Sequence, residues 1–411
     1  MSARSPFRHV DGLLADAARW HVRRLTPGEL TDRDVEAWAD LESRAAEPNA
    51  FLSPHFVLPA VRHVDPGALP VVFLVERGAA GGRETVGAGV FCRARGSRFL
   101  PLPHLVAYRS LYTSSSGLLL DRDWGDESLA ALLGHVRRHE PRCHGIEVPL
   151  VWADGPLARA VASASGHGGA LFRGVELDER AVLLPAEASP QLLERALGRH
   201  KKDLDRRMRR LRERGDVGWR WYRGDGIPSA AVEAFLALEH AGWKGQAGTS
   251  LRSRPADEAF FREMVARFDA EGRALFTELT LDGVPIASTS NLVSGRVGFA
   301  FKIGWDPDYK AFSPGMLNEV EFVRHASAVC GDLEYFDSGA TGDSFINRLW
   351  PWRRPKGHVV VPTTAPARVA VAAAAWLRET KRRVTARRRA ASASRVDDPH
   401  NGDRDSGEPS R

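Results

Sequence analysis

The 411-residue chain reads as a mixed α/β (α+β) protein built in two halves, with mixed sheets flanked by helices and a basic appendage at the end. Three observations predict this. Short runs rich in β-branched and aromatic residues alternate with stretches whose apolar residues recur every three or four positions, the periods of strands and of amphipathic helices. One order of elements, antiparallel strands, helix, strand, helix, strand, occurs before about residue 186 and again after residue 190. With 43% apolar and 27% charged residues the chain can bury sizeable cores, and its length suggests two or three domains. The expected division is 20–186, 190–364 and a tail over 366–411.

In the first half, Asp32–Ala46 carries helical periodicity, with Thr31 or Asp32 as its N-cap. Val71–Glu76 and Val86–Arg93 are strands around the glycine-rich turn Gly78–Gly82. A strand at Gly117–Leu120, a helix over Asp126–His139, a strand at Ile146–Val148 and a helix near Pro156–Ala164 follow, with further strands toward Leu184. The second half is clearer. Leu193, Leu197, Leu204, Met208 and Leu211 mark one face of a helix over Gln191–Arg214, whose other faces hold ten Lys/Arg. Trp219–Tyr222 is a short strand. Helices are expected at Ser229–Trp243 and Pro255–Glu271, the second stopped by Gly272. Strands Ala274–Leu281, Pro285–Val293 and Val297–Trp305 are joined by turns at Asp282-Gly283 and Ser294-Gly295. A helix at Gly315–Val329, a strand at Leu333–Phe336, a short helix near Asp343–Trp350 and a strand at His358–Val361 complete it. Beyond Pro366, Val369, Ala373, Trp376 and Leu377 line one face of a short helix. Arg395–Arg411 is polar and expected to be disordered.

The formal charge of +6 lies in the appendage: Pro366–Arg395 holds nine Lys/Arg against one acid, and residues 1–365 are close to neutral. Nucleic-acid binding by the main body is therefore a minority reading, and the basic tail is a solvated extension or a contact for an anionic membrane surface or nucleic acid. The first thirty residues lack the apolar core of a signal peptide, and no run approaches the ~20 apolar residues of a membrane helix, so a cytoplasmic protein is expected. Cys92, Cys143 and Cys330 form no C-x-x-C pair and are read as reduced thiols. The histidines are scattered, so no metal site is expected. There is no phosphate loop, no dinucleotide G-x-G-x-x-G, no H-E-x-x-H and no nucleophile elbow.

The informative stretch is Val297–Val329, V-G-F-A-F-K-I-G-W-D-P-D-Y-K-A-F-S-P-G-M-L-N-E-V-E-F-V. An alternating strand runs into a loop ending Ser313-Pro314-Gly315, where a helix begins. Helix starts present unpaired N–H groups and partial positive charge, which suit a phosphate. A proline-initiated helix with a serine cap is the competing structural account.

The run F-K-I-G-W-D-P-D-Y-K-A-F-S-P-G-M-L, with Gly242-Trp243-Lys244-Gly245 before it and Asp337 through Trp350 after it, resembles the GNAT-superfamily acyltransferases of the cellulose-biosynthesis type (CelD/BcsL). Asn49-Ala50-Phe51-Leu52-Ser53-Pro54-His55-Phe56 is similar to that family's N-P-F-x-S-P-x-F element. The resemblance covers roughly Trp38 to Pro362. It implies tandem GNAT-like domains, related to the Fem-type aminoacyltransferases, and transfer of an acyl group from acetyl-CoA to an amine or hydroxyl. It also implies that Val297–Trp305 splays from its neighbour to pair with the donor's pantetheine arm, and that the helix start at Ser313, Gly315, Met316, Leu317 and Asn318 receives the diphosphate. The chain departs from the pattern in having Ser-Pro-Gly in place of Q/R-x-x-G-x-G/A, with fewer amides, and Ile346-Asn347 in place of a Tyr-Lys pair.

Acyl transfer by direct attack needs a base near the nucleophile and donors near the thioester oxygen. Asp337, at the end of a strand, is the first candidate for base or orienting carboxylate, and a turn cap is the competing role. Glu239 and Glu278 are weaker candidates. Lys302 interrupts an apolar strand and is read as meeting a donor phosphate, a substrate carboxylate or a structural partner. Trp243-Lys244 could wall an acceptor site, and Asp306 and Tyr309 sit on the loop before the helix start. Trp350 and Trp352 belong more naturally to the core. The expected activity is N-acetylation or acylation of a polar acceptor such as a sugar or exopolysaccharide precursor. The rivals are an aminoacyl-tRNA-dependent Fem-like transferase, using the basic helix for tRNA, and a non-catalytic scaffold of a polysaccharide synthase complex.

Overall fold

Val71, Val72, Phe73, Leu74 and Val75 are all buried, and a run this apolar on both faces belongs inside a sheet. A computed structural model describes residues 20–396 apart from 80–81, 164–168, 174, 177–178, 341 and 343; the side chains of 163, 243, 381, 382 and 384–396 are also left undescribed. The first half comprises β1 (Trp20–Leu25), α1 (Asp32–Ser43), α2 (Pro54–Pro59), β2 (Val71–Ala79), β3 (Gly82–Ala94), β4 (His104–Ala107), β5 (Leu119–Leu120), α3 (Gly125–His139), β6 (Gly145–Trp152), α4 (Pro156–Ser163), β7 (Ala170–Arg173) and β8 (Glu179–Leu183). Thr31 caps α1 in a reciprocal pair with Asp34, whose own N–H bonds to the threonine hydroxyl. The second half comprises α5 (Pro190–Leu197), α6 (His200–Arg212), β9 (Val217–Tyr222), α7 (Ser229–Ala241), α8 (Trp243–Gln246), α9 (Pro255–Asp269), β10 (Ala274–Leu281), β11 (Val284–Ser294), β12 (Val297–Trp305), α10 (Pro314–Cys330), β13 (Tyr335–Asp337), α11 (Ile346–Leu349), β14 (Trp352–Pro362) and α12 (Ala365–Val396).

The expected α+β class is what the chain adopts; the described residues form a single sheet of fourteen strands flanked by helices. Its order is β1-β2-β3-β4-β6-β14-β8-β13-β12-β11-β10-β9, with β5 on β3 and β7 on β14. Continuity comes from an exchange. Strand β8 precedes the expected division, yet it pairs with β13 of the second half. Strand β14 is the last strand of the second half, yet Lys356–Pro362 pair with β6 of the first half while Trp352–Pro355 pair with β8. One hydrophobic cluster likewise takes Trp38, Phe51 and Phe56 together with Phe235, Phe260 and Phe299.

Three expectations need correction. The basic helix is two helices, because Gly198 adopts φ +50°, a left-handed conformation that ends α5. The tail helix is long, 32 residues, and docks through Ala367 and Val371. Val369, Trp376 and Leu377, read from the sequence as one face of a short helix, are exposed. The polar stretch from 397 to 411 lies outside the described residues. Asp282 and Gly283 both take positive φ, 49° and 79°, as a two-residue hairpin loop requires. No described helix is long and apolar enough to cross a membrane.

Candidate active site

Strands β12 and β13 begin side by side in parallel, pairing Val297 with Tyr335, Gly298 with Phe336 and Phe299 with Asp337, and then part. Local chemistry forces the fork. Ser290 faces Lys302 while Asn291 faces Ala300, so Phe301 is an extra residue, a bulge that bends β12. Beyond Asp337 the chain turns away: Ser338 N–H bonds to Ala181 O on β8, and Gly339 takes φ +61°. At the vertex only glycine fits, since a Cβ on Gly298 would lie 2.3 Å from the Phe336 ring. At the far end α7 rests directly on the strand, where a Cβ on Gly304 would lie 2.5 Å from Glu239 N.

The fork opens a cleft of about 300 Å³. One wall is the free edge of β12, Ala300–Ile303. The other is the loop Ser338–Ala340 with Ser344–Ile346. Phe51, Tyr112 and Ser114 close it from the first half, and Glu319 of α10 lies beneath. Lys302 Nζ donates to Glu239 Oε1 at 3.3 Å and sits 4.9 Å over the Tyr112 ring, which in turn stacks on Phe260. Lys244 Nζ donates to Ile303 O at 3.0 Å and lies 3.4 Å from the same Glu239 oxygen; burial pushes its ammonium below the usual lysine range. Two ammonium groups thus share one carboxylate. Glu319 is 5% exposed, and its Oε2 has no hydrogen-bond partner; burial alone raises this carboxyl to about 8. Ser114 Oγ is also buried without a partner.

At the start of α10, Ser313 is left-handed (φ 55°) and accepts a 2.5 Å bond from Arg207 Nη1. Leu317 N–H is the first to bond back, to Ser313 O at 3.1 Å, so the amides ahead of it are those of Gly315 and Met316. Ser313 and Met316 border a second cavity of about 150 Å³, with His200 and Arg207 of α6 and Arg348 of α11 around it. Phe345 lines both spaces, so they adjoin there.

The structure brings Lys302 and Lys244 into the cleft and Ser313 and Met316 to the helix start. Gly315 backs onto Ile303 and Trp305. Leu317 is in the core, and Asn318 is spent internally: it accepts from Trp219 Nε1 at 2.9 Å and donates to Thr277 Oγ1 at 3.0 Å. Asp337 stands at the vertex, fully buried. It accepts from Arg180 and Lys356 at 3.4 and 3.5 Å and from Gly339 N–H at 3.0 Å, and it is not among the cleft-lining residues. Asp306 caps the turn Pro307–Phe312, and Tyr309 packs beside Phe312; neither borders either cavity. Glu278 is held by Arg220 and Tyr222. Trp243 opens α8, and its side chain lies outside the described residues. Trp350 is buried in the core, as expected.

Sequence reasoning missed Glu319, Ser114, Tyr112, Phe345 and Arg348. For Glu319 a signal exists. Gly315, Asn318, Glu319, Phe322 and Val323 follow helical spacing along one face of α10, so an acid stands within the buried stripe. The others have none: Tyr112 and Ser114 reach the cleft from the first half, while Phe345 and Arg348 reach the cleft and the second cavity from a loop and a short helix.

Residues 198–354 match the family described as acetyltransferase (GNAT) domain. No curated protein matches the chain. The crystal structure of FemX superposes over 82% of this chain and 96% of its own with a TM-score of 0.52 at 10% identity, a likeness of fold. The C-terminal domain of a putative lysylphosphatidylglycerol synthetase from Agrobacterium fabrum aligns at 13% identity over 82% and 95% of the two chains (TM-score 0.48). A tandem GNAT protein from the clavulanic acid biosynthesis pathway aligns at 14% identity over 84% and 99% (TM-score 0.39). The chain carries a GNAT-type domain and is an acyltransferase.

Proposed function

We propose that the protein transfers an acyl group from acyl-CoA to an amine or hydroxyl of a polar acceptor, by direct attack within a ternary complex. The observation that carries this reading is the fork: from Ala300 onward the outer edge of β12 has no partner strand among the described residues, beside a helix start. A backbone edge pairs with an extended amide-bearing chain as it would with another strand, and pantetheine is such a chain. The bulge at Phe301 supplies main-chain groups free of the ladder, suited to a developing oxyanion. The amides of Gly315 and Met316, with Arg207, His200 and Arg348, suit a diphosphate. The cleft walled by Tyr112, Ser114, Lys244 and Lys302 takes the acceptor. Its polar, aromatic lining fits the sugar or exopolysaccharide precursor that the cellulose-biosynthesis resemblance implies. Helix α12, with exposed Trp376 and Leu377 among arginines, is the element an anionic membrane surface would meet.

Calorimetry with acetyl-CoA tests the donor. The wild type should bind, and Gly315→Leu should not, because even a Cβ there lies 3.2 Å from Ile303 and Trp305. Full affinity in the variant would move the donor site elsewhere. One observation favours a second reading: few amides stand at the helix start, while α6 carries a strongly basic surface. An aminoacyl-tRNA donor fits that pattern. Absence of acetyl-CoA binding, with RNA affinity that falls steeply with salt, would select it.

A further inference from the structure

Among the described residues that line the cleft, Glu319 is the sole carboxyl. It lies one helical turn beyond Gly315 on the α10 face that packs under the fork, so it stands between the helix start and the free edge of β12. Buried polar groups are nearly always paired, yet Glu319 Oε2 is enclosed with no hydrogen-bond partner among the described residues. The other charged groups of the cleft, Lys302 and Lys244, are both drawn to Glu239. On the helix itself, Glu321 is paired with Arg324. Across the cleft, the wall from the first half contributes a second unpartnered polar atom, Ser114 Oγ.

We propose that Glu319 is the catalytic base of the transfer and that the acceptor's nucleophile is a primary amine, which docks as an ammonium ion between the Glu319 carboxylate and Ser114 Oγ. This rests on the acyl-CoA reading above. A buried carboxyl without a partner is costly when ionised; an incoming cation removes that cost, whereas a neutral hydroxyl does not. The acidities also match. Burial holds the carboxyl at about 8 in the empty cleft, roughly two units below an alkylammonium group, while the proton of a hydroxyl lies far higher. Transfer is most efficient when the base titrates near the working pH.

The step balances as follows. The ammonium gives one proton to the Glu319 carboxylate and becomes a neutral amine. Its lone pair attacks the thioester carbonyl; the C–N bond forms and the C–S bond breaks. The departing thiolate takes a second proton from the nitrogen, leaving an amide N–H. Glu319 then returns its proton to water when the products leave. No oxidant, reductant or metal enters.

The test uses the full-length protein, acetyl-CoA and three primary amines (glucosamine, ethanolamine and lysine), with N-acetylglucosamine as the hydroxyl-only control. Donor affinity is read by calorimetry and transfer by thiol release, in the wild type, Glu319→Gln and Glu319→Asp. The wild type should release thiol with an amine and not with the control, and kcat/KM should rise with pH toward a plateau above about 8. Glu319→Gln should bind acetyl-CoA within twofold of the wild type but lose about 10²–10⁴-fold in kcat, together with the pH-dependent rise. Glu319→Asp, with its shorter reach, should retain an intermediate rate. Equal thiol release by the wild type and Glu319→Gln, with donor binding intact in both, overturns Glu319 as base. Release only with the hydroxyl control, or with no amine, overturns the amine assignment. Loss of acetyl-CoA binding already in the wild type overturns the donor reading instead, and this assignment with it.

Discussion

Two buried carboxyl groups, Asp337 and Glu319, flank the same fork and have opposite surroundings. Asp337, at the vertex, faces the seam between the halves, where Lys356 is wholly enclosed by Asp337, Ser115 Oγ at 2.9 Å, Leu150 O and the Trp152 ring. Arg180 adds a second cation and Gly339 N–H a third donor. Burial pulls the Lys356 ammonium downward against the opposing effect of Asp337. That carboxylate is consumed by structure. Glu319 meets neither cation nor donor among the described residues, so burial acts on it without compensation. The partners of Asp337 come from both halves, whereas Glu319 faces the cleft with Oε2 unpartnered.

The largest effect is expected on the seam. Asp337→Asn leaves Lys356 and Arg180 without their shared anion and should cost about 3–5 kcal/mol of stability, read by urea denaturation. Adding Lys356→Met should restore part of the loss, since both members of the buried pair are then gone. A loss below about 1 kcal/mol in Asp337→Asn would erase the contrast between the two acids.

The pH dependence of stability sharpens the comparison next. Glu319 in the folded chain titrates near 8, against an ordinary value of 4.5. Between those values the unfolded chain has lost its proton while the folded chain keeps it. Stability therefore falls as pH rises, by about 1.4 kcal/mol per unit at most. The contribution is whole below 4.5 and lost as pH climbs through about 8. Glu319→Gln lacks the group, so its melting temperature should gain on the wild type between about pH 5 and pH 8. A constant difference across that range would mean the carboxyl finds a partner in solution. The smallest effect concerns the helix start. Arg348→Ala removes an exposed cation from the smaller cavity and should weaken acetyl-CoA binding only several-fold, about 1 kcal/mol, fading at high salt. Unchanged affinity at low salt would place the diphosphate away from α11.

Much of the site was legible in the sequence. Val297–Trp305, the helix after Ser313-Pro314 and Lys302 are legible from alternation, turn chemistry and charge in an apolar run, and Lys244 from its place after a helix; the strand and both lysines border the cleft. Asn318 and Leu317 shared the signal of the helix start without sharing the site, because a helix turns its successive side chains in different directions. Asp337 carried the same local signal as a catalytic acid at a strand end. Only the cations at 180 and 356 distinguish it, one 157 residues away and both outside any local motif.

The sequence by itself determined the type and order of the elements, since periodicity and turn residues act over a few positions. It placed the helix start beside the strand for the same reason. Tertiary structure alone decided that β8 and β14 trade halves, that the fork opens toward Tyr112 and Ser114, and which acid is left without a partner. Those outcomes depend on contacts between distant segments, and the state of a buried charge is set by whichever groups the fold brings against it.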